Sequence, residues 1–242
     1  MESLRLDVAC VKLGLVESRN KAAELIAKNK VCINGVVCDK AAFKVSVQDN
    51  IFLLESSFFV SRAAEKLQGF LEQNPKIIDL IKDKDALDIG ASAGGFSQVL
   101  LQNGAKSVVC VDVGSGQLHK TLRQDCRVEV CENTDIREFA KSGAKFKIVV
   151  CDVSFIALKD ILDSIKCVSV GLLILLFKPQ FEVGIFAKRN KKGVVKDSNK
   201  IKESLENAKE MLKNDFRILC VAESLVKGKC GNAEFFIACE RF

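Results

Sequence analysis

The stretch that most constrains the fold is Ala86–Phe96, ALDIGASAGGF. An apolar run with a single acid (Ala86, Leu87, Asp88, Ile89) meets Gly90, Ala91, Ser92, Ala93, Gly94 and Gly95, and a helical pattern starts at Phe96. Strand, glycine turn, helix is the form of a nucleotide-binding crossover: small residues let the backbone approach a ligand, and unpaired N–H groups collect at the helix start. The spacing is neither the G-x-G-x-x-G of dinucleotide enzymes nor a phosphate loop with its lysine. An acid on the strand before the glycines suits a ligand with a cationic end. The same stretch is also compatible with a plain tight turn in a βαβ unit, so the rest of the chain has to decide.

From Asp85 onward, apolar runs alternate with helical ones. Strands are expected at Ala86–Ile89, Ser107–Val113, Arg127–Cys131, Lys147–Asp152, Leu172–Phe177, Arg217–Ala222 and Glu234–Cys239. Helices are expected at Phe96–Gln102, Leu158–Ile165 and Lys200–Lys213. Ser61 can cap a further helix running to Gln73, with Leu67, Phe70 and Leu71 inward and Arg62 and Lys66 sharing another face. Such alternation means a doubly wound, mostly parallel α/β sheet. Its last two strands, joined through Lys227, Gly228, Lys229 and Gly231, can pair antiparallel.

Ahead of this sheet, Arg5–Leu54 reads as a small α+β unit. A short helix begins at Leu6, and Ser18 caps a second from Arg19 to Lys28. Val31–Ile33 and Val36–Cys38 flank Asn34–Gly35, a strong hairpin signal. Val45–Leu54 is expected to close the unit as another hairpin turning at Asp49–Asn50. The expected boundaries are 1–55 for the small domain, 56–60 for a linker and 61–242 for the sheet domain, with Phe58 and Phe59 packed between the domains.

Composition excludes several classes. Eleven cysteines occur without a C-x-x-C pair and His119 is the only histidine, so no metal site is expected. Met1–Val8 carries Glu2, Arg5 and Asp7 and does not read as a secretion signal. The longest uncharged apolar run, Cys167–Phe177, is far short of the ~20 residues of a membrane-spanning helix. A cytoplasmic protein with reduced thiols follows as the expectation. The net charge is +6, and Phe186–Lys202 holds Lys188, Arg189, Lys191, Lys192, Lys196, Lys200 and Lys202 against only Asp197. That one segment matches the whole surplus and reads as a footprint for a polyanion.

In an open α/β sheet the site lies beyond the carboxyl ends of the strands. Here those ends carry Gly90, Asp112 followed by Val113, Asp135 with Ile136 past the third strand, Asp152 and Lys178. Asp112 is placed to accept from the ribose hydroxyls of an adenosine ligand, and Asp135 and Ile136 to meet its base. With Asp88 before the turn, S-adenosylmethionine is the expected cofactor. Its contacts would come from Asp88, Gly90, Ala91, Ser92, Gly94, Gly95, Phe96, Asp112, Val113, Asp135 and Ile136.

Two resemblances sharpen this. The pattern RLDVACVKLGLVESRNKAAELIAKNKVCINGVVC resembles the RNA-binding domain named after small-subunit ribosomal protein four. It implies Arg5, Lys12, Ser18, Arg19, Lys21, Lys28 and Lys30 at an RNA face, making phosphate-type contacts. Arg62 and the cluster Lys188, Arg189, Lys191 and Lys192 are further candidates for RNA. VSRAAEKL, DIGASAGGF, CDVSF, FKPQFE and GNAEFF resemble, in the same order, the TlyA family of rRNA 2′-O-methyltransferases, which have an FtsJ-like catalytic domain. The resemblance implies a Rossmann-like seven-stranded methyltransferase sheet and a Lys-Asp-Lys-Glu tetrad falling on Lys66, Asp152, Lys178 and Glu234. Lys178 would then orient the ribose hydroxyl or act as its base. As a base it must be neutral, a state favoured by burial and by nearby Lys66.

The implied partner is rRNA within a ribosomal subunit. The small-domain start near residue 5 and the finish just after the last strand look like the shorter members, so the large subunit is favoured. Other classes of answer are a membrane-active haemolysin, a name common in the family, and an RNA-binding protein with a dead enzyme fold.

Overall fold

The structure, a computed structural model, describes residues 3–46, 48–53, 59–184 and 187–242. The chain divides into two units, residues 1–58 and 59–242.

In the first unit β1 (Leu4–Arg5) leads into α1 (Leu6–Lys12), and α2 (Arg19–Ala27) follows. Ser18 caps α2, its Oγ accepting from Lys21 N at 3.2 Å. Strands β2 (Val31–Ile33) and β3 (Val36–Val37) form the hairpin that Asn-Gly predicts, with φ of 51° at Asn34 and 85° at Gly35. Leu6, Cys10, Ala22, Ile26 and Val31 fill the core between helices and strands. The hairpin expected in Val45–Leu54 does not form among the described residues. Instead β4 (Lys44–Val45) pairs with β1, while β5 (Ile51–Leu53) pairs with β2. Asp49 is taken up differently, accepting from Ser46 N and from Asn34 Nδ2. Leu54 and Phe58 lie outside the described residues, and Phe59 packs on the core of the second unit.

The second unit opens with α3 (Arg62–Gln73) and a helix not anticipated, α4 (Pro75–Ile81), which Pro75 starts at its first position. There follow β6 (Asp85–Ile89), α5 (Gly95–Gln102), β7 (Ser107–Val111), α6 (Lys120–Arg123), β8 (Val128–Cys131), α7 (Ile136–Phe139) and β9 (Phe146–Cys151). The chain continues through α8 (Leu162–Val168), β10 (Ser169–Phe177), α9 (Pro179–Glu182), α10 (Ser198–Leu212), β11 (Phe216–Glu223) and β12 (Phe235–Arg241). The single helix expected over Leu158–Ile165 is a 3-10 turn, Leu158–Asp160, followed by α8. The expected strand Ser107–Val113 stops at Val111, leaving Asp112 and Val113 in the loop. Helix α10 begins at Ser198, so Lys200 and Lys202 belong to a helix rather than to the basic loop.

Among the described residues the sheet has seven strands in the order β11-β12-β10-β9-β6-β7-β8, and only β12 runs antiparallel to its neighbours. Side chains alternate across it with period two. Ala86, Cys110, Val150, Ile174, Leu176 and Phe236 share one face with the apolar sides of α3, α4 and α5. Leu87, Ile89, Cys151, Leu175, Phe177 and Ile237 face the other way, toward α8 and α10. This parity positions the site. Asp88, Asp112, Asp152, Lys178 and Glu234 are each in step with the first set, so all five belong to the face that α3 covers.

Under that face Phe236 is fully buried, with ring centroids 4.5 Å from Phe70 and 6.1 Å from Phe96. It joins the last strand to α3 and α5. Phe236→Ala is expected to lower unfolding free energy by about 3–5 kcal/mol, the range for a buried aromatic truncated to alanine. Chemical denaturation checks this, and a loss below about 1 kcal/mol would show that the three-ring contact is not a keystone of the core.

Candidate active site

The strand ends lie in one row. Ile89 pairs with Val111 and with Cys151, and Val111 with Cys131. Gly90, Asp112 and Asp152 are therefore the first residues beyond three neighbouring strands. On the next pair Phe177 of β10 is opposite Phe235 of β12. Lys178 leaves β10 where Glu234 enters β12, because β12 runs backwards.

Four charged side chains from distant parts of the chain meet here as two ion pairs. Lys66 Nζ donates to Glu234 Oε2 at 2.6 Å, and the two residues are 8% and 3% exposed. Lys178 Nζ lies 2.5 Å from Asp152 Oδ1 and directs a hydrogen bond to Ser154 Oγ at 2.9 Å. The contact with Asp152 is close but not aligned as a hydrogen bond, so Asp152 Oδ1 keeps acceptor capacity. Gln180, two residues past Lys178, donates Nε2 to Glu234 Oε1 at 3.3 Å. The nearest charge to Lys178 is thus the Asp152 carboxylate, while Lys66 has its own partner in Glu234.

Asp88 has a second duty. It is fully buried, and its Oδ2 accepts from Ser97 N at 2.9 Å and Ser97 Oγ at 2.6 Å. Gly94, the residue at the start of α5, has no side chain to cap the helix, and Asp88 supplies the cap from the neighbouring strand. Burial raises its pKa to about 7, against the lowering by Ser97, and the nearby Asp152 and Asp112 add to the rise. Its other oxygen, Oδ1, is buried without a partner. An orphaned buried carboxylate oxygen is costly unless something cationic or donating arrives.

Two adjoining clefts surround these residues. One, of about 300 Å³, is lined by Ser61, Arg62, Lys66, Asp88, Phe96 and Lys178 among others. The second, about 570 Å³, is lined by Val111, Asp112, Val113, Thr134, Asp135 and Ile136 among others. Gly90, Ser92, Asp152 and Ser154 line both. Asp112 is held by Ser92 N at 2.8 Å and Gly114 N at 2.7 Å, one on each oxygen, which leaves each oxygen a second lone pair for a ligand hydroxyl. Asp135 lines the cleft too, but its carboxylate caps α7 and is engaged by the Arg137 guanidinium. At the lip Phe155 is 91% exposed on a backbone with φ of 64°, 5.2 Å from the Phe181 ring.

Gly90 has φ +80°, and a Cβ there would meet Asp152 O at 3.0 Å, so the turn and the close approach both call for glycine. Gly94 and Gly95 differ from the expectation and line neither cleft. A Cβ on Gly94 would strike Leu122 and Leu118, and one on Gly95 would strike Ser61 Oγ and the α3 backbone. Their smallness serves helix packing. Ser61, expected to cap α3, makes no capping bond, and its buried Oγ has no partner at the cleft wall; sequence reasoning missed Ser154, which holds Lys178. Ser154 could have been found from its place two residues after Asp152 in CDVSF.

The candidate RNA residues are dispersed. Arg5 and Arg19 both bind Asp7, at 3.0 and 2.9 Å, and hold its pKa down at about 2, Arg5's hydrogen bond contributing most. Lys21 and Lys28 pair with Glu24, each at 3.1 Å. Ser18 serves as a cap, and Lys12 is exposed while Lys30 is half-buried. Arg62 donates to Lys227 O at 2.6 Å. In the basic segment Lys188, Lys191 and Lys192 are exposed, and Phe186 lies outside the described residues. Arg189, another expected RNA contact, is exposed and also braces the segment: its guanidinium donates to Gln180 O, Gly184 O and Gly193 O, and its backbone bridges Val195.

Comparison with known proteins fits this geometry. Residues 59–241 match the FtsJ-like methyltransferase family and residues 4–51 the S4 domain. The 23S rRNA (cytidine-2′-O)-methyltransferase TlyA of Campylobacter jejuni is 44% identical, over 90% of this chain and 92% of its own. The 16S/23S rRNA (cytidine-2′-O)-methyltransferase TlyA of Mycobacterium tuberculosis is 38% identical, over 96% and 88%. A solved structure from Streptococcus thermophilus, 34% identical, superposes with a TM-score of 0.68 over all of this chain and 89% of that one. A quartet of charges beside a glycine turn, on a chain matched nearly end to end, identifies the protein as a member of the TlyA family of FtsJ-like methyltransferases with an S4 domain.

Proposed function

We propose that the protein transfers a methyl group from S-adenosylmethionine to the 2′-hydroxyl of a cytidine in large-subunit rRNA, in the cytoplasm. The observation that carries this is the meeting of the Lys66–Glu234 and Lys178–Asp152 pairs in a cleft that shares its floor, Gly90 and Asp152, with an adenosine-sized neighbour. The 23S naming of the Campylobacter jejuni relative supports the choice of subunit.

The residues fit the cofactor. Asp88 Oδ1 is the buried acceptor waiting for a donor, and a cationic amino group satisfies it. Asp112 would take ribose hydroxyls, while Ile136 and Val111 would flank the base. Bound there, S-adenosylmethionine supplies a methyl already activated on a sulfonium. The protein's task is then the ribose oxygen. Lys178 Nζ would fix the hydroxyl, and the Lys178–Asp152 pair would receive its proton as the oxygen bonds to the methyl carbon and the methyl–sulfur bond breaks, its electrons staying on sulfur as a neutral thioether. Ser154 and Asp152 hold Lys178, and Glu234 balances Lys66, so the four act as a unit.

RNA is gripped mainly through phosphates. Exposed ion pairs such as Lys28–Glu24 are worth at most ~1 kcal/mol and exchange readily for a phosphate partner. Lys188, Lys191, Lys192 and Lys196 project from the segment that Arg189 braces, and they are the polyanion contacts of the catalytic unit.

Lys178→Ala should retain cofactor affinity in calorimetry while losing methyl transfer by ~10²–10⁴-fold, the usual weight of a proton-handling group. Transfer near wild type would remove Lys178 from the chemistry. Cofactor affinity should fall about tenfold per pH unit below 7, because a cationic ligand needs ionised Asp88 and must expel its proton. Binding at pH 6 should therefore release a proton that binding at pH 8 does not, and Asp88→Asn should abolish this difference. Equal proton release at both pH values would disconnect Asp88 from the ligand. Replacing Lys188, Lys191, Lys192 and Lys196 together by alanine should flatten the log–log salt dependence of RNA binding by roughly 3. An unaltered slope would show that these lysines only meet solvent.

A further inference from the structure

Four cationic side chains line the cleft that contains the catalytic pairs: Arg62, Lys66, Lys178 and Lys229. Three are committed within the protein. Lys66 is paired with Glu234, Lys178 lies against Asp152, and Arg62 donates to Lys227 O. Lys229 has no ion pair or hydrogen bond among the described residues.

The loop that carries Lys229, between β11 and β12, is fastened at several points. Ser224 N donates to Glu234 O at 2.8 Å, Gly228 N to Asn232 O at 2.9 Å and Gly231 N to Gly228 O at 2.8 Å. Arg62 holds Lys227 O from α3, and Val195 N, in the basic segment, donates to Asn232 Oδ1 at 2.9 Å. Gly228 lies directly on the catalytic quartet: a Cβ there would sit 2.4 Å from Glu234 Oε1. A side chain is excluded at Gly228, and the very next residue extends an uncommitted ammonium along the same cleft.

In RNA the 2′-oxygen and the phosphate on the 3′-oxygen are attached to adjacent ribose carbons. A cleft that seats the hydroxyl at Lys178 must therefore bring that phosphate close to its wall. We propose that Lys229, held on this fastened loop, binds the phosphate beside the target ribose and so positions the substrate. This rests on the ribose methylation proposed above. It separates the work of two sets of cations: Lys188, Lys191, Lys192 and Lys196 gather RNA from outside the cleft, while Lys229 sets one nucleotide within it.

The test uses the full-length protein and large ribosomal subunits purified from cells in which the gene is deleted. Lys229→Ala should raise the KM for subunits about tenfold and reduce the log–log salt slope of subunit binding by ~0.7–0.9, the share of a single phosphate contact. The loss in kcat should be smaller than the rise in KM, S-adenosylmethionine affinity by calorimetry should be unchanged, and Lys229→Arg should restore most of the KM. An unchanged KM and slope would overturn the proposal. So would a fall in cofactor affinity with subunit binding intact, which would place the lysine on the cofactor's carboxylate. Subunit binding measured without cofactor reads Lys229 independently of turnover. A wild-type protein that binds subunits but methylates none would instead sink the activity on which the assignment rests.

Discussion

The buried contact between Lys66 and Glu234 is the constraint to which the catalytic unit is built. It joins the helix before the sheet to the strand that finishes it, across 168 positions of sequence. Such a pair is not a source of much net stability, because desolvating two ions offsets most of their attraction. Breaking it by removing one partner is far more costly, since the other charge is left buried. The pair therefore acts as a test of assembly. It can form only if β12 runs antiparallel and enters beside the end of β10, and that placement also puts Glu234 within reach of Gln180 and of the Lys178 strand end.

A second constraint is the alternation of side chains across the sheet. Asp88, Asp112, Asp152, Lys178 and Glu234 share a face because each is in step with an apolar position on its own strand. Odd-numbered neighbours such as Ile89, Cys151 and Phe177 take the opposite face and build a separate core. A one-residue slip in any strand would carry its polar residue to the wrong side. The fold and the site are thus set by one pattern, and the densely packed strands keep their register for reasons that have nothing to do with chemistry.

This explains what was readable in advance. The parallel sheet, the glycine crossover and the hairpin at Asn34–Gly35 follow from local patterns of two, three or four residues. The charged residues at the strand ends could be singled out because they interrupt apolar runs. What was not readable depends on partners remote in sequence. Val45 and Ile51 look like the arms of a hairpin, but each finds a better-placed strand elsewhere. Gly94 and Gly95 look like part of a ligand cradle, yet their neighbours are Leu118, Leu122 and Ser61. Arg189 looks like one more cation of a basic loop, although three carbonyls make it the loop's internal fastening. Asp88 looks like a ligand acid, yet one of its oxygens caps α5, and only the other, buried without a partner, is left for anything else.

The antiparallel β12 strand also bears on synthesis. It occupies the middle of one half of the sheet, between β10 and β11, and both neighbours are made before it. While the chain is emerging at about 5–20 residues per second, β10 must wait with an open edge and Lys66 without its carboxylate. The nascent polypeptide accordingly has its glycine turn before it has the Lys66–Glu234 pair. The quartet of charges is complete only once residue 234 and the strand behind it have joined the sheet.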